Sequence, residues 1–283
     1  MRTQASRLHD LVRRPPPHEG AKPSSWVVSV VSGKGGVGKT NLVLNMGIAL
    51  AQQGARVLIV DGDLSAANLE VLAGGMFSGA LIHVGRGRQS LEAATAAGPA
   101  GVHMILAADA EAVRHPDLWP WILPDIRLGI DIARQAYDWL LIDTGPGISE
   151  ATGGFAALSD RIVVLTTGEP PSITSTYGLI KHLMHLDPAA PVRLMVNGVG
   201  SQEEASETIA KLAAAIEHFL HVRLQTSGWV CWDANIPTAV CRQIPFLMAY
   251  PDTPASACIR GIVQRLAAEK AEPSGAGALA AGM

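Results

Sequence analysis

The 283-residue chain is expected to fold as a single α/β domain, a largely parallel sheet with helices on both faces. Three observations point there. Apolar runs at Val27–Val31, Val57–Val60, Met104–Leu106, Trp139–Ile142, Ile162–Leu165 and Leu194–Val196 read as buried strands. Helical stretches at Asn41–Gln53, Leu118–Gln135, Ser172–Leu186 and Glu203–Phe219 lie between them. Short continuous apolar strands alternating with helices are the mark of parallel strands covered on both sides. Composition agrees: 48 % of residues are hydrophobic and 17 % charged. The charged share is below the roughly 25 % of an average domain, so a large core can be buried.

The organisation along the chain follows. Residues 1–25 form a basic N-terminal segment and linker, 26–269 the folded domain, and 270–283 an Ala/Gly-rich tail expected to be disordered. The N-terminal segment carries a local net charge of +3 and leaves −6 for the rest of the chain. Ala5, Leu8, Leu11 and Val12 recur at helical spacing, and Pro15, Pro16 and Pro17 then stop any helix and stiffen the linker. Two readings stay open for this segment: a frayed basic tail, or a helix formed on a partner. No apolar run is long enough to span a bilayer, and the N-terminus lacks the apolar stretch of a secretory signal. Cys231, Cys241 and Cys258 are too few and too scattered for a disulfide framework or a Cys-x-x-Cys metal site, which fits a reducing cytoplasm. His182 and His185 share a helix face but lack a third ligand.

The most informative stretch is Gly33-Lys34-Gly35-Gly36-Val37-Gly38-Lys39-Thr40, followed by Asn41. It satisfies GxxxxGK[ST], follows an expected strand and opens an expected helix, which is the context a phosphate loop requires. Glycines let backbone N–H groups wrap a phosphate, and the helix start points its positive end at the same anion. Lys39 is placed to reach the β- and γ-phosphates, and the Thr40 hydroxyl to bind Mg²⁺. Two further strands end in carboxylates. Val57–Val60 runs into Asp61-Gly62-Asp63, and Trp139–Ile142 into Asp143, followed by Thr144-Gly145-Pro146-Gly147. The C-terminal ends of parallel strands are where open α/β sheets bind ligands.

Lys34 is surplus to an ordinary phosphate loop. With it, the stretch GKGGVGKT resembles the deviant Walker A motif of the MinD/ParA family of phosphate-loop ATPases, and the resemblance runs nearly the whole length of the chain. Segments 63–72, 143–149 and 166–174 are similar to the branch of flagellar-number regulators (FlhG/FleN/YlxH-like), as are Thr40-Asn41 and Val196-Asn197 with Glu203, Glu204 and Ala205. The resemblance implies ATP/ADP and Mg²⁺ as cofactors, with Thr40, Asp63 and Asp143 as metal-side residues. It implies that Lys34 reaches the nucleotide of a second subunit, that Lys39 acts with it on the phosphates, and that Asp63 positions the attacking water. Gly147 would sense the γ-phosphate through its N–H, and Asn197 would contact adenine. The second adenine-side segment corresponds to Val230-Cys231-Trp232-Asp233, which departs from the usual Pro-Tyr or Pro-Glu and offers Trp232 for stacking.

The resemblance further implies an ATP-dependent homodimer that hydrolyses ATP to ADP and phosphate and regulates flagellar number and placement. Its partners would be transcription or flagellar assembly factors and an SRP-type flagellar GTPase. Thr3-Gln4-Ala5-Ser6-Arg7-Leu8-His9 partly matches the branch's GTPase-stimulating DQAxxLR segment, so residues 1–14 are the implied contact. The implied location is the cytoplasm, with any membrane or polar attachment peripheral. The stretch Ala267–Pro273 has a net charge of −1, unlike the cationic membrane helix of MinD, so autonomous membrane binding is expected to be weak or absent. The acidic body argues against a sequence-specific nucleic-acid role. Two alternatives remain: a ParA-like ATPase that positions DNA or cargo, and a nucleotide-binding scaffold that does not hydrolyse. Iron–sulfur relatives are discounted: no cysteine precedes Cys231 to bridge a cluster across a dimer, and the Cys-x-x-Cys of the cluster-scaffold type is absent.

Overall fold

The computed structural model describes residues 25–63, 68–74, 79–108 and 119–271. The N-terminal segment 1–24 and the tail beyond 271 lie outside the described residues. An eight-stranded sheet carries the order β3-β4-β2-β5-β1-β6-β7-β8. Its strands are β1 (Trp26–Val31), β2 (Val57–Gly62), β3 (Ala96–Ala97), β4 (His103–Leu106), β5 (Trp139–Thr144), β6 (Arg161–Thr166), β7 (Val192–Val199) and β8 (Gln225–Cys231). Among the described residues only the two-residue β3 pairs antiparallel; the other pairings are parallel.

The longer helices are α1 (Lys39–Gln52), α5 (Trp119–Ala136), α6 (Glu150–Ala157), α7 (Pro170–Leu186), α8 (Gln202–Leu220) and α11 (Pro254–Ala271). Short ones are α2 (Asn68–Ala73), α3 (Leu81–Gly85), α4 (Leu91–Ala94), α9 (Asn235–Cys241) and α10 (Phe246–Ala249). All six expected strands and four expected helices are present.

Period-two alternation distributes the strand side chains between the two faces. Val28, Val30, Val57, Ile59 and Leu141 pack into one core cluster with residues of α1 and α11. Val27, Leu58, Val60, Leu140 and Ile142 pack into a second with residues of α3 and α5. Covering both faces explains why these strands are apolar throughout rather than alternating. The α7 and α8 layer closes over β6 and β7 around Leu179, Ile180, Leu183, Leu212 and Ile216. Trp119 is buried edge-on against Phe155 at 5.1 Å, whereas Trp121 is 71 % exposed.

The expected start of the tail at residue 270 needs correcting. Helix α11 continues to Ala271. Lys270 donates to the Asp138 carbonyl at 2.6 Å and lies 4.6 Å from the Trp139 ring centroid, which holds the end of the helix on the sheet. Ile259, Ile262, Val263 and Leu266 are buried, so the segment closes the core as its apolar spacing suggests.

Candidate nucleotide site

Strand β1 sits between β5 and β6 at the centre of the sheet, and the chain leaves its C-terminal end directly into the phosphate loop. Gly38 takes φ +92°, a left-handed conformation that a side chain would resist, and caps α1. No side chain caps that helix and no acidic residue occupies its first turn, so its N-terminal N–H groups and its dipole face the loop unopposed. A Cβ on Gly33 would run into the backbone of Ser175 and Thr176, so only glycine lets the loop pass so close to α7. Ser32 Oγ donates to the Lys34 carbonyl at 2.8 Å and shapes the start of the loop.

Lys39 and Thr40 open α1 at the carboxylate-bearing ends of β2 and β5. Lys39 is only 7 % exposed. Burial pulls its pKa down, and Asp143 and Asp63 pull it back up. Asp143 is buried, and among the described residues neither carboxylate oxygen has a hydrogen-bond partner. Burial pushes its pKa up to about 6, against the opposing pull of the Thr40 hydroxyl and Lys39. Thr40 thus lies near enough to influence Asp143 without completing a hydrogen bond to it.

Asp61 was not among the expected site residues, and it belongs there. It stands beside Asp143 in the parallel register of β2 and β5. Burial first and Asp143 second push its pKa up to about 8, while the Asp63 N–H, donating to Asp61 Oδ1 at 3.1 Å, opposes them. Ile59 and Leu141 face the α1 side of the sheet, so Asp61 and Asp143, two residues on, do as well; the sequence marks Asp61 only as the first half of Asp-x-Asp.

An orphaned buried carboxylate beside a hydroxyl and two further carboxylates suits a hard divalent cation such as Mg²⁺. The described residues hold no group of three or more His, Cys, Asp or Glu side chains arranged as a metal cage. An ion held by Thr40 and Asp143 would draw its other ligands from water and phosphate oxygens, the usual manner for Mg²⁺.

Lys34 is engaged within its own chain: its Nζ lies 2.9 Å from Glu169 Oε2 at the start of α7. The pair is partly exposed, and such pairs are worth roughly 0–1 kcal/mol, so it is easily exchanged. Gly147 donates its N–H to the Ser32 carbonyl at 2.8 Å, so in this conformation that N–H is committed to the chain. Asn197 donates from Nδ2 to the Val37 carbonyl at 2.8 Å and fixes the loop from the β7 side. Asn41 accepts from Asn45 through both its carbonyl and its Oδ1 at 2.7 Å.

Two open cavities flank the loop. One, of about 420 Å³, is lined by Lys39, Thr40, Asn41, Asp63 and Pro146. The other, of about 450 Å³, is lined by Val37, Gly38, Thr167, Glu169 and Asn197. Trp232 follows β8 with its N–H bonded to the Val199 carbonyl at 2.8 Å, and its side chain is 65 % exposed.

Residues 28–103 match the family model described as the CobQ/CobB/MinD/ParA nucleotide binding domain. Antiactivator FleN of Pseudomonas aeruginosa is 33 % identical over 241 residues, covering 85 % of each chain. The flagellum site-determining protein YlxH of Helicobacter pylori is 29 % identical, covering 75 % of this chain and 72 % of that one. Among solved structures, the septum site-determining protein MinD of Pyrococcus horikoshii, complexed with Mg-ADP, superposes with a TM-score of 0.69 at 24 % identity. That alignment covers 88 % of this chain and all of the other, and it shows a common fold. The phosphate loop with its additional lysine and the extent of identity to FleN together establish that the chain belongs to the MinD/ParA family of phosphate-loop ATPases, in its branch of flagellar-number regulators.

Proposed function

We propose that this protein is a Mg²⁺-dependent ATPase switch that dimerises with ATP, separates after hydrolysis, and regulates flagellar number and placement. The observation that carries the reading is the convergence of buried Lys39, Thr40 and the unpartnered carboxylate of Asp143 at one helix N-terminus. When bound, Mg²⁺ supplies charge neutralisation at the phosphate oxygens, with Thr40 and Asp143 to hold it and Asp61 and Asp63 beside them. Lys39 places its charge on the β- and γ-phosphates, and Asp63 orients the attacking water. Such chemistry asks for positioning and electrostatics with little covalent work by the protein.

Lys34 completes the site of a second copy after releasing Glu169, and Gly147 exchanges the Ser32 carbonyl for the γ-phosphate. The small cost of both exchanges supports a two-state device biased by nucleotide. Exposed Val71, Ile148 and Val240 near the loop offer apolar surface for the second copy to cover. Asn197, which holds the Val37 carbonyl, contacts adenine in this reading, and the exposed Trp232 offers it a flat face.

The decisive experiment measures mass in solution by light scattering for Asp63→Ala with Mg²⁺-ATP and with Mg²⁺-ADP. A dimer with ATP and a monomer with ADP is expected. A monomer in both, with nucleotide demonstrably bound, would overturn the cross-dimer role of Lys34 and favour a non-hydrolysing scaffold.

The relatives' names support the cellular role: one is an antiactivator, the other determines flagellar site. Transcription or assembly factors are the corresponding partners here. Residues 1–14, which lie outside the described residues, are assigned to an SRP-type GTPase. A synthetic peptide of that sequence should raise the GTPase rate of the partner; an unchanged rate refutes the assignment.

A further inference from the structure

The scatter of cysteines along the sequence disappears in the fold. Cys231 ends β8 and Cys258 lies in the first half of α11, 27 residues later, yet their sulfurs are 3.8 Å apart. Cys231 is buried, Cys258 is partly accessible, and Cys241 is exposed elsewhere. The described residues contain no group of three or more His, Cys, Asp or Glu side chains able to hold a metal, so the two thiols do not form part of such a site. Their chain neighbours Val230 and Ile259 both line a small cavity that opens beside Gly38 and Asn41 of the phosphate loop. A bond between the sulfurs would therefore join two walls of that cavity.

We propose that Cys231 and Cys258 are a redox modification site, a dithiol that closes to a reversible disulfide and fastens β8 to α11. The oxidant is a peroxide. The Cys258 thiol, the accessible one, is oxidised first, giving a sulfenic acid and one water. The Cys231 sulfur then attacks the Cys258 sulfur; the S–S bond forms, the S–O bond breaks, and the hydroxyl leaves with the Cys231 proton as a second water. Two thiols are oxidised by two electrons and one peroxide is reduced to two waters. Burial and the neighbouring Cys258 raise the pKa of Cys231 to about 11, so Cys231 is not the thiol that peroxide oxidises first. An S–S bond is about 2 Å long, so the sulfurs approach by less than 2 Å to form it. A thiol reductant of the glutathione or dithiothreitol class reopens it.

The test uses the whole chain carrying Cys241→Ser, which removes the exposed thiol that would link separate molecules. The protein is treated with hydrogen peroxide, alkylated and peptide-mapped, then melted before and after reduction. A peptide cross-linked between Cys231 and Cys258 is expected, together with a rise in Tm of roughly 5–10 °C that dithiothreitol abolishes. Cys258→Ser should lose both the cross-link and the rise. Full alkylation of both cysteines after peroxide, or oxygen addition to Cys258 without a cross-link, overturns the proposal. A cross-link that leaves Tm unchanged or lowered overturns the fastening. None of these measurements needs nucleotide, so their failure is separate from any failure of the ATPase reading.

Discussion

Asp61 and Asp143 lie side by side on adjacent parallel strands, both buried; burial opposes the ionisation of each, the Asp143 charge adds to it at Asp61 and the Asp63 charge at Asp143. The consequence for stability has a definite sign. Asp61 is raised from 3.8 to about 8, so between those pH values the folded chain holds a proton the unfolded chain has released. Stability of the metal-free protein therefore falls as pH rises from about 4 to about 8 and levels off above. Asp143, raised to about 6, steepens the first half of that fall. Asp61→Asn should leave only the fall that ends near pH 6 and raise Tm above it, measured by thermal melts across pH in the presence of chelator. A pH profile of Tm identical to that of the wild type would refute the assignment. Lys39 and Thr40 were legible in the sequence because the motif fixes their spacing and their strand-to-helix context, and Asp143 because it ends a continuous apolar strand. Asp61 was visible only as half of Asp-x-Asp; its role depends on which sheet face it shares with Asp143, a pairing between strands that are not neighbours along the chain. Glu169 and Ser32, which hold Lys34 and Gly147, were hidden for the same reason.

At the scale of the element, α1 transmits the loop's position into the fold. Asn45 is fully buried in an otherwise apolar stretch of that helix. Its Nδ2 donates to Asn41, and its Oδ1 accepts the Leu247 N–H of α10 at 2.9 Å. It thus ties the first turns of the nucleotide helix to a segment some 200 residues on in the sequence. Asn45→Leu keeps the side-chain size but leaves the Leu247 N–H buried and unpaired. A loss of about 1–3 kcal/mol is expected, read as a Tm lowered by roughly 2–8 °C with nucleotide binding retained. A stability equal to the wild type would show that water or a backbone shift satisfies that N–H. Long periodic helices and continuous apolar strands were readable in advance, whereas β8 and α6 were not. Strand β8 is the sheet edge, its sequence QTSGWVC starts with two exposed polar residues, and its pairing with β7 shifts register. Edge position removes the burial that makes a strand apolar, so the usual signal is absent. Helix α6, EATGGFAA, carries two glycines where periodicity would be sought; Gly154 packs against Trp119 and Leu123, so space rather than propensity placed it there.

Across the whole molecule, α11 runs from the phosphate-loop end of the strands to the starts of β5 and β6. Near its start Ile259 lines the cavity by the phosphate loop, and near its end Glu269 pairs with Arg161 at 2.8 Å, which itself lies 5.1 Å from the Trp26 ring centroid. The apolar side of α11, Ile259, Ile262, Val263 and Leu266, is spent on the core shared with α1 and the sheet. A helix can attach to a lipid surface only by burying an apolar face in it, and this one would have to leave the fold to do so. No helix of the described residues is long and apolar enough to cross a membrane either. The net charge of −3 adds no general attraction to anionic lipid. The protein with Mg²⁺-ATP, as wild type or Asp63→Ala, should therefore sediment with anionic phospholipid vesicles no more than it does with Mg²⁺-ADP or without lipid. Strong pelleting that requires ATP would refute this and point to a lipid-binding surface outside α11.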